Sequence, residues 1–341
     1  MAWNVFKYCS VLRALGSVMI LLVLGIIGVS YYAVVVCTYG PALFNGGLDS
    51  ITAFVVLLLF HFLLVMLLWS YFSVVITDPG GVPPNWTPTL DEERGDNPLV
   101  GSEDGGINLI SNQSAMHSQR TNLGIRFCQK CNRFKPPRCH HCSVCGRCIL
   151  KMDHHCVWVV NCVGAMNYKY FLLFLFYTFL ETGLVTISLL PVFIPFFTDE
   201  EIHGTPASLV GSFITFVLNL AFVLSIMGFL IMHLSLVKRN TTTIEAFEKK
   251  TTPKWHYDLG WKLNFEQVLG KNKNYWFIPA YSEDDLERLA LLKGASSNGQ
   301  IEQASRGGWA LPSTEQPQNS GRVMPDRSGS SHLQRNGKKK N

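Results

Sequence analysis

The feature that most constrains this chain is a set of four apolar stretches, each long enough to cross a bilayer. A membrane-spanning helix needs about 20 consecutive apolar residues. No charged residue occurs at positions 14–48, 50–77 or 204–237, and only Glu181 interrupts positions 170–197. We therefore predict membrane helices near residues 12–36, 51–76, 170–197 and 209–237. With 48% hydrophobic and 16% charged residues, the composition excludes an ordinary soluble protein.

The distribution of positive charge predicts the orientation of these helices. Four spans place both termini and the loop 77–169 on one side, and all 29 Lys and Arg residues then lie on that side. The opposite loops carry only Asp49, Asp199, Glu200 and Glu201. Because positive residues favour the cytosolic side, we expect both termini and the loop to be cytosolic. The small net charge of +5 gives no reason to expect nucleic-acid binding.

Composition divides the chain into six regions. Residues 1–84 hold the first two spans, 85–123 read as a flexible polar linker, and 124–169 form a cysteine-rich domain. Residues 170–237 hold the last two spans, 238–293 a cytosolic C-terminal region with a short helix at 281–293, and 294–341 a disordered basic tail. The predicted fold class is an all-α membrane protein, a four-helix bundle with a cytosolic zinc domain between the second and third spans.

Eight of the ten cysteines fall between Cys128 and Cys162. Repeated Cys-x2-Cys steps bring pairs of thiolates to one tetrahedral zinc ion, and disulfides are rare in the cytosol. Buried structural cysteines are a much poorer explanation, since so many such steps seldom coincide. Together with four histidines the segment offers twelve donors, whereas two closed zinc sites need eight. Four residues are therefore left for another role.

The run Asp153-His154-His155-Cys156 suggests what the surplus does. A thiolate bound to structural zinc has no open substrate position, so a reactive cysteine must lie outside the ligand set. One histidine can bind zinc while the other stands beside Cys156. His154 would then accept the thiol proton, Asp153 would hold the imidazole in position, and Cys156 would attack.

The motifs resemble those of a known family, the DHHC protein S-acyltransferases or palmitoyltransferases. The resemblance rests on residues 153–156, on the cysteine pattern before them, and on the Val157–Tyr168 run after them, where Val157 replaces the proline of many members. It extends to Asp78-Pro79-Gly80, to Thr242-Thr243-Ile244-Glu245 and to the motif at residues 264–270. It covers the chain from the first span to about residue 281, and its look is closest to plant members.

The resemblance implies a ligand set and a reaction. It assigns one structural Zn²⁺ to Cys128, Cys131, His141 and Cys148, and the other to Cys142, Cys145, His155 and Cys162. Cys156, His154 and Asp153 become the catalytic residues, and Cys139 and His140 need no role. A long-chain acyl group, palmitoyl by preference, would pass from acyl-CoA to Cys156 and then to a cysteine of a substrate protein. Exchange of one thioester for another needs no ATP.

The same resemblance suggests partners and location. Substrates would be proteins with membrane-proximal cytosolic cysteines, and the bilayer itself is a partner. Lys338 and Lys339 match a di-lysine retrieval pattern, which favours the Golgi over the ER or plasma membrane, although a basic tail attracted to anionic lipid is the simpler reading. Basic residues of the cysteine-rich domain offer contacts for CoA phosphates or merely a solvated surface, namely Lys135, Arg138, Arg147 and Lys151.

Glu181 lies within the third span, where a carboxyl group is costly and faces the interior of a bundle. A buried structural hydrogen bond is the plainer explanation; closure of an acyl tunnel, limiting chain length, is the alternative. Two other functional classes remain. A zinc adaptor resembling a RING ubiquitin ligase would not explain a free Cys–His pair, and a transporter would need more polar groups in its spans than Glu181, His61 and His233.

Overall fold

The computed structural model describes residues 10–84, 86, 126–197, 205–248 and 257–294. The predicted linker, except Trp86, and the predicted tail, except Gly294, lie outside the described residues. Four of the described helices are long and apolar enough to cross a bilayer, as predicted: Val18–Ala42, Gly47–Ile76, Tyr168–Phe193 and Pro206–Lys238. They agree with the predicted spans to within a few residues at most ends.

The first span changes its helical geometry part of the way along. Helix α1, Ser10–Tyr31, continues as a π-helix over Tyr32–Tyr39 and a helical turn at Gly40–Ala42. A Cβ atom at Gly40 would collide with the carbonyl oxygen of Val35, so this turn needs a glycine. This irregular end lies away from the cysteine-rich domain, near the start of α2, Gly47–Ile76.

Helix α3, Tyr168–Phe193, is the centre of the bundle and packs against both α2 and α4, Pro206–Lys238. In the most apolar 18-residue stretch of α3, 56% of the residues are buried, whereas 22% or fewer are buried in the corresponding stretches of the other three spans. Large apolar side chains on α1, α2 and α4 are exposed, as expected for helices that meet lipid. Its position lets α3 carry residues toward both the cysteine-rich domain and the bundle interior.

The fold is mostly helical, as predicted, but the cysteine-rich domain between the second and third spans consists of three antiparallel hairpins. Strands β1 and β2 are Phe127–Cys128 and Arg133–Phe134, β3 and β4 are His140–Cys142 and Arg147–Ile149, and β5 and β6 are His154–Cys156 and Asn161–Val163. The turns include positive φ angles at Asn132, Gly146 and Val160. In the first two hairpins the turn brings both thiols of a Cys-x2-Cys step into one cluster, Cys128 with Cys131 and Cys142 with Cys145.

The hairpins are fastened to the end of α2. The side-chain amide of Asn161 donates to the carbonyl groups of Val74, Val75 and Thr77 at 3.0, 3.3 and 2.9 Å, and so satisfies the last turn of that helix. Gly164 passes so close that a Cβ atom would lie 2.7 Å from the oxygen of Pro79. The cysteine-rich domain is therefore held against the end of the membrane bundle.

The described residues of the C-terminal region include three short α-helices, α5 at Thr243–Glu248, α6 at Trp261–Leu269 and α7 at Glu283–Gly294, and a 3-10 turn at Lys273–Tyr275. Helix α7 is the short helix predicted near 281–293, and the Ser282 hydroxyl donates to Asp285 at 2.8 Å at its start. The buried amide of Asn264 donates to the carbonyl of Lys238, which fixes α6 to the end of α4. This region thus closes over the same end of the bundle as the hairpins.

Candidate active site

The hairpins bring eight cysteine and histidine residues into two clusters. In each cluster the four candidate ligand atoms lie within 4.8 Å of one another. The clusters contain the eight residues that the family resemblance implied, Cys128, Cys131, His141 and Cys148 in the first and Cys142, Cys145, His155 and Cys162 in the second. His141 pairs with Cys148 across β3 and β4, and His155 with Cys162 across β5 and β6.

The chemistry of both clusters fits a zinc ion. In the first, Nδ1 of His141 lies 3.2 Å from Sγ of Cys131 and 3.5 Å from Sγ of Cys128, while its buried Nε2 has no hydrogen-bond partner in the described part of the chain. In the second, Sγ of Cys145 lies 3.4 Å from Nδ1 of His155. Three sulfur donors and one nitrogen donor are a common set for closed, tetrahedral structural zinc.

The residues outside these clusters divide into two groups. Cys139 is fully buried beside the first cluster, and His140 lies 3.5 Å from a guanidinium nitrogen of Arg126. His154 and Cys156 lie on β5 on either side of His155. Because side chains alternate across a strand, a histidine that faces the second cluster leaves its two neighbours facing the opposite side. The strand thereby brings His154 and Cys156 together.

His154 connects Cys156 to Asp153. Its Nδ1 atom lies 2.6 Å from a carboxylate oxygen of Asp153, and the ring and the Cys156 thiol affect each other's pKa. Burial lowers the pKa of His154, but the hydrogen bonds and charges of Asp153 and Cys156 outweigh burial and raise the pKa to about 9. Burial likewise raises the pKa of Cys156, yet His154 and the backbone N–H groups of Val159 and Trp158 bring the pKa below that of an ordinary thiol. The arrangement favours a thiolate–imidazolium pair.

Asp153 is in turn held by the segment after α4. The backbone N–H of Thr243 donates to one carboxylate oxygen at 2.9 Å, and its hydroxyl donates to the carbonyl of Asp153. Thr242 plays a different part, because its hydroxyl accepts from the N–H of Glu245 while that carboxylate accepts from the N–H of Thr242. Of these two threonines, only Thr243 therefore contacts Asp153.

The Arg138 side chain is buried and paired, so it is not available to contact CoA phosphates, as one interpretation of the sequence had suggested. Its side chain is 1% exposed, and Nε and Nη2 donate to the two oxygens of Glu245 at 2.7 and 2.8 Å. Nη1 also donates to the side chain of Asn240. A bidentate pair this deeply buried joins the cysteine-rich domain to α5, and removal of one partner of such a pair costs about 3–5 kcal/mol. Arg147, by contrast, forms a half-exposed pair with Asp78.

Two residues of the membrane helices, not assigned from sequence, complete the polar site. His233 is fully buried in α4, with its ring centroid 5.9 Å from that of His154. Its nitrogen lies within 4.8 Å of candidate ligand atoms of both Asp153 and His154. Its Nδ1 atom is 3.0 Å from the hydroxyl of Tyr168. The only signal in the sequence was a histidine within an apolar span, which by itself points to no particular partner.

An apolar cavity of about 570 Å³ opens on the other side of Cys156. Its volume falls in the usual range of ligand pockets, roughly 300–1,000 Å³. His154, His155, Cys156, Val157 and Trp158 form one end. The rest is apolar apart from Thr178 and Ser225, and comes from all four long helices: Val23, Ile26, Ile27, Leu67, Phe171, Phe174, Leu175, Phe222, Ile226, Gly228, Phe229 and Met232.

Glu181 lies one turn beyond Thr178 on α3 but is not among the residues that line this cavity. It is 6% exposed, and one carboxylate oxygen has no hydrogen-bond partner within the described residues. The position of Glu181 one turn beyond the cavity wall makes its effect on acyl chain length the test between the two interpretations of this residue.

Comparison with known proteins supports the resemblance. Residues 121–250 match the DHHC palmitoyltransferase family. The chain is 68% identical over 294 residues to probable protein S-acyltransferase 14 of Arabidopsis thaliana, covering 86% of this chain and 94% of that protein. Probable protein S-acyltransferase 13 of the same plant is 63% identical, with the same coverage of both chains. Human palmitoyltransferase ZDHHC20 is 36% identical over 82% of this chain and 77% of its own length.

Proposed function

Because the chain belongs to the DHHC protein S-acyltransferase family, we propose that Cys156 takes a long-chain acyl group from acyl-CoA and passes it to a cysteine of a substrate protein. The enzyme is a protein S-acyltransferase, so the proposal concerns the donor, the two-step route and the residues. The observation that carries it is the position of Cys156, which lies on the same face of β5 as His154 and lines an apolar cavity.

In the first step the Cys156 thiol gives its proton to His154, and the thiolate attacks the acyl-CoA thioester. The C–S bond to CoA breaks, the acyl group becomes a thioester of Cys156, and the CoA sulfur leaves with the proton from His154. In the second step His154 takes a proton from the substrate cysteine, which attacks the Cys156 thioester and restores the free enzyme. One thioester replaces another in each step, so the sequence is ping-pong and needs no energy source.

Asp153 and His233 support His154 in this scheme from two directions. The carboxylate of Asp153 orients the imidazole through Nδ1 and stabilises its cation, and Thr243 fixes that carboxylate. His233 is a positioning residue, because its buried ring packs on the same pair and is itself held by Tyr168. Asp153 directly precedes β5 and His233 belongs to α4. The geometry around His154 therefore depends on how the cysteine-rich domain docks on the bundle.

The two zinc ions of the proposal are structural. Cys128, Cys131, His141 and Cys148 would hold one, and Cys142, Cys145, His155 and Cys162 the other. Zinc bound by four protein donors supplies folding energy rather than an open position for substrate. Small hairpins with little apolar core need that energy, and the second set lies on the hairpin that carries Cys156.

The orientation and location are also proposals. The positive-charge pattern supports a cytosolic cysteine-rich domain, where Cys156 at the end of the bundle can meet CoA from water while the acyl chain stays in the cavity. Substrates would then carry cysteines near the cytosolic membrane surface. The Lys338–Lys339 pattern supports the Golgi as the compartment.

The test is incorporation of an alkyne-tagged palmitoyl group from its CoA thioester into purified protein, for wild type and Cys156→Ser, with zinc content measured on both. We expect hydroxylamine-sensitive label on wild type and none on a Cys156→Ser protein that keeps its zinc. Equal labelling of the two proteins would move the acyl-enzyme to another cysteine. Zinc-loaded wild type that takes no label would leave the membrane-bound zinc adaptor as the better explanation.

A further inference from the structure

The segment between α6 and α7 lies along the side of α3. Residues 274–282 carry no charged side chain. The hydroxyl of Tyr177 donates to the carbonyl of Phe277 at 2.6 Å, and the Phe277 ring packs on Phe176 with centroids 5.7 Å apart. At its other end the ammonium group of Lys169 donates to the carbonyl of Ala280. The segment is therefore tied to α3 at two levels.

The distance between these two levels shows how far the segment descends. Lys169 and Tyr177 are eight residues apart, or about 12 Å along a helix. Helix α3 has 26 residues and a length of about 39 Å, which exceeds the roughly 30 Å of a hydrocarbon core. If α3 is centred in the core, Lys169 lies just outside it and Tyr177 roughly 9 Å inside. The carbonyl of Phe277 lies at the level of the Tyr177 hydroxyl, which is somewhat nearer the membrane surface because helical side chains tilt toward the N-terminus.

Several polar groups of the segment's backbone are paired within the protein, as a position at membrane depth favours. Irregular backbone at membrane depth must satisfy its polar groups within the protein. The N–H groups of Trp276, Ile278 and Ala280 donate to carbonyl groups of the same segment at 2.7–3.1 Å. Pro279 has no N–H, and the Phe277 carbonyl is satisfied by Tyr177. The indole N–H of Trp276 donates to the carbonyl of Gly270.

The apolar side chains of the segment, in contrast, are only partly covered by the protein. Phe277 is 60% exposed and Ile278 36% exposed, although they stand beside the apolar surface of α3. We propose that residues 275–281 form a shallow re-entrant loop whose Phe277 and Ile278 side chains lie among the acyl chains of the leaflet nearest the active site. The proposal rests on the proposed membrane orientation, and its partner is the bilayer rather than another protein.

The loop has a consequence for the active site. At the end of α6, the indole N–H of Trp276 donates to the carbonyl of Gly270, and the hydroxyl of Tyr281 donates to the carbonyl of Val268. Val268 packs in the same apolar cluster as Cys156. A loop anchored in lipid therefore holds α6 against the bundle at the height of the nucleophile, and its release would slow acyl transfer without removing a catalytic group.

The experiment uses full-length protein in phosphatidylcholine nanodiscs in which some acyl chains carry a diazirine. After irradiation and digestion, mass spectrometry locates the lipid adducts. We expect adducts at Phe277 or Ile278, at a yield comparable with that of exposed residues on α2. The internal control is Val144, which is 43% exposed on the cysteine-rich domain and is expected to stay unlabelled.

If lipid adducts form on the membrane helices but not on the 274–282 peptide, the proposed re-entrant loop is wrong. If no adducts form on the membrane helices either, the proposed membrane position of the bundle is wrong as well. A matched pair of variants adds a second measure, because Phe277→Leu should keep the adducts and Phe277→Asp should lose at least about tenfold of their yield, given the cost of a charge among acyl chains. Acyl transfer is measured separately on the wild-type nanodiscs, so failure of the proposed chemistry is distinguished from failure of the loop.

Discussion

Cys156 has a polar environment on one side and an apolar environment on the other, and the two have different expected roles. On one side Asp153, His154 and Thr243 form a buried polar network with bonds of 2.6 and 2.9 Å. On the other side an apolar cavity runs between the helices. A directional network controls proton transfer, whereas an apolar space recognises only length and shape. Changes on the polar side should therefore alter the rate for every acyl chain, and changes on the apolar side should alter which chain is used.

The largest expected effect is that of Asp153→Asn. The amide would present a donor where the carboxylate accepts from both His154 and Thr243, so the imidazole would lose its orientation and its counter-charge. We expect acyl-enzyme formation to slow by about 10²–10⁴-fold, as in other Cys/Ser–His–Asp arrangements. The loss should be equal for palmitoyl-CoA and a medium-chain acyl-CoA, measured by single-turnover labelling.

Asp284→Asn is the matched control, because Asp284 is an exposed carboxylate on α7. It should label at the wild-type rate. An Asp153→Asn loss that differs by more than about tenfold between the two chain lengths would show that the polar network also shapes the cavity, against the division proposed here.

His233→Phe should have a smaller effect, about tenfold on the rate, equivalent to the loss of one hydrogen bond. Phenylalanine keeps the ring packed on His154 but removes the nitrogen that faces Tyr168. The Tyr168→Phe variant should lose a similar factor, and the double variant little more, because both changes break the same interaction. If the two losses are fully additive, or if the KM for acyl-CoA changes while kcat does not, His233 does not act through the polar network around His154.

On the apolar side the test is Gly228→Leu. A Cβ atom at Gly228 would meet no atom within 4 Å, and the residue lines the cavity, so the new side chain fills space meant for the acyl chain. We expect palmitoyl transfer to fall at least about tenfold relative to medium-chain transfer. Gly211→Leu, on the same helix, equally free of contacts and away from the cavity, should leave the ratio unchanged. Equal losses for both chains in Gly228→Leu would contradict the division.

The smallest expected effect is that of Glu181→Ala. If this residue closes the far end of the cavity beyond Thr178, its removal should raise transfer of a chain longer than palmitoyl by a few-fold, while Glu181→Gln keeps the wild-type profile. The measurement is the distribution of acyl groups on Cys156 by mass spectrometry from a mixture of acyl-CoA donors. An unchanged distribution would leave Glu181 with a structural role only.

Much of the architecture follows from short-range properties of the chain. The four candidate spans were predictable because a run of apolar residues without charge has few alternatives to a membrane helix. The family and its activity were predictable because the motifs are dense and local. The hairpins were not, since a strand of two or three residues has no measurable period, and the pairing of His141 with Cys148 depends on turns at positive φ.

The misplaced expectation for Arg138 has a similar cause. A basic residue near a catalytic motif suggested phosphate binding, but its partner Glu245 is 107 residues away in the chain. The proposed roles of Cys156 and Asp153 are tested directly by the Cys156→Ser and Asp153→Asn variants. Contacts between regions so distant cannot be found from a single sequence, because neither residue changes the pattern around the other.

By itself the sequence determined the number of candidate membrane helices, the family, the class of reaction and the set of residues from which a nucleophile and ligands had to come. Each of these depends on residues close together in the chain. The tertiary structure alone decided that α4 brings His233 to His154, that Thr243 holds Asp153, and that the segment after α6 descends along α3 to Tyr177. These arrangements join distant parts of the chain through the packing of one bundle, and packing is a property of the whole fold.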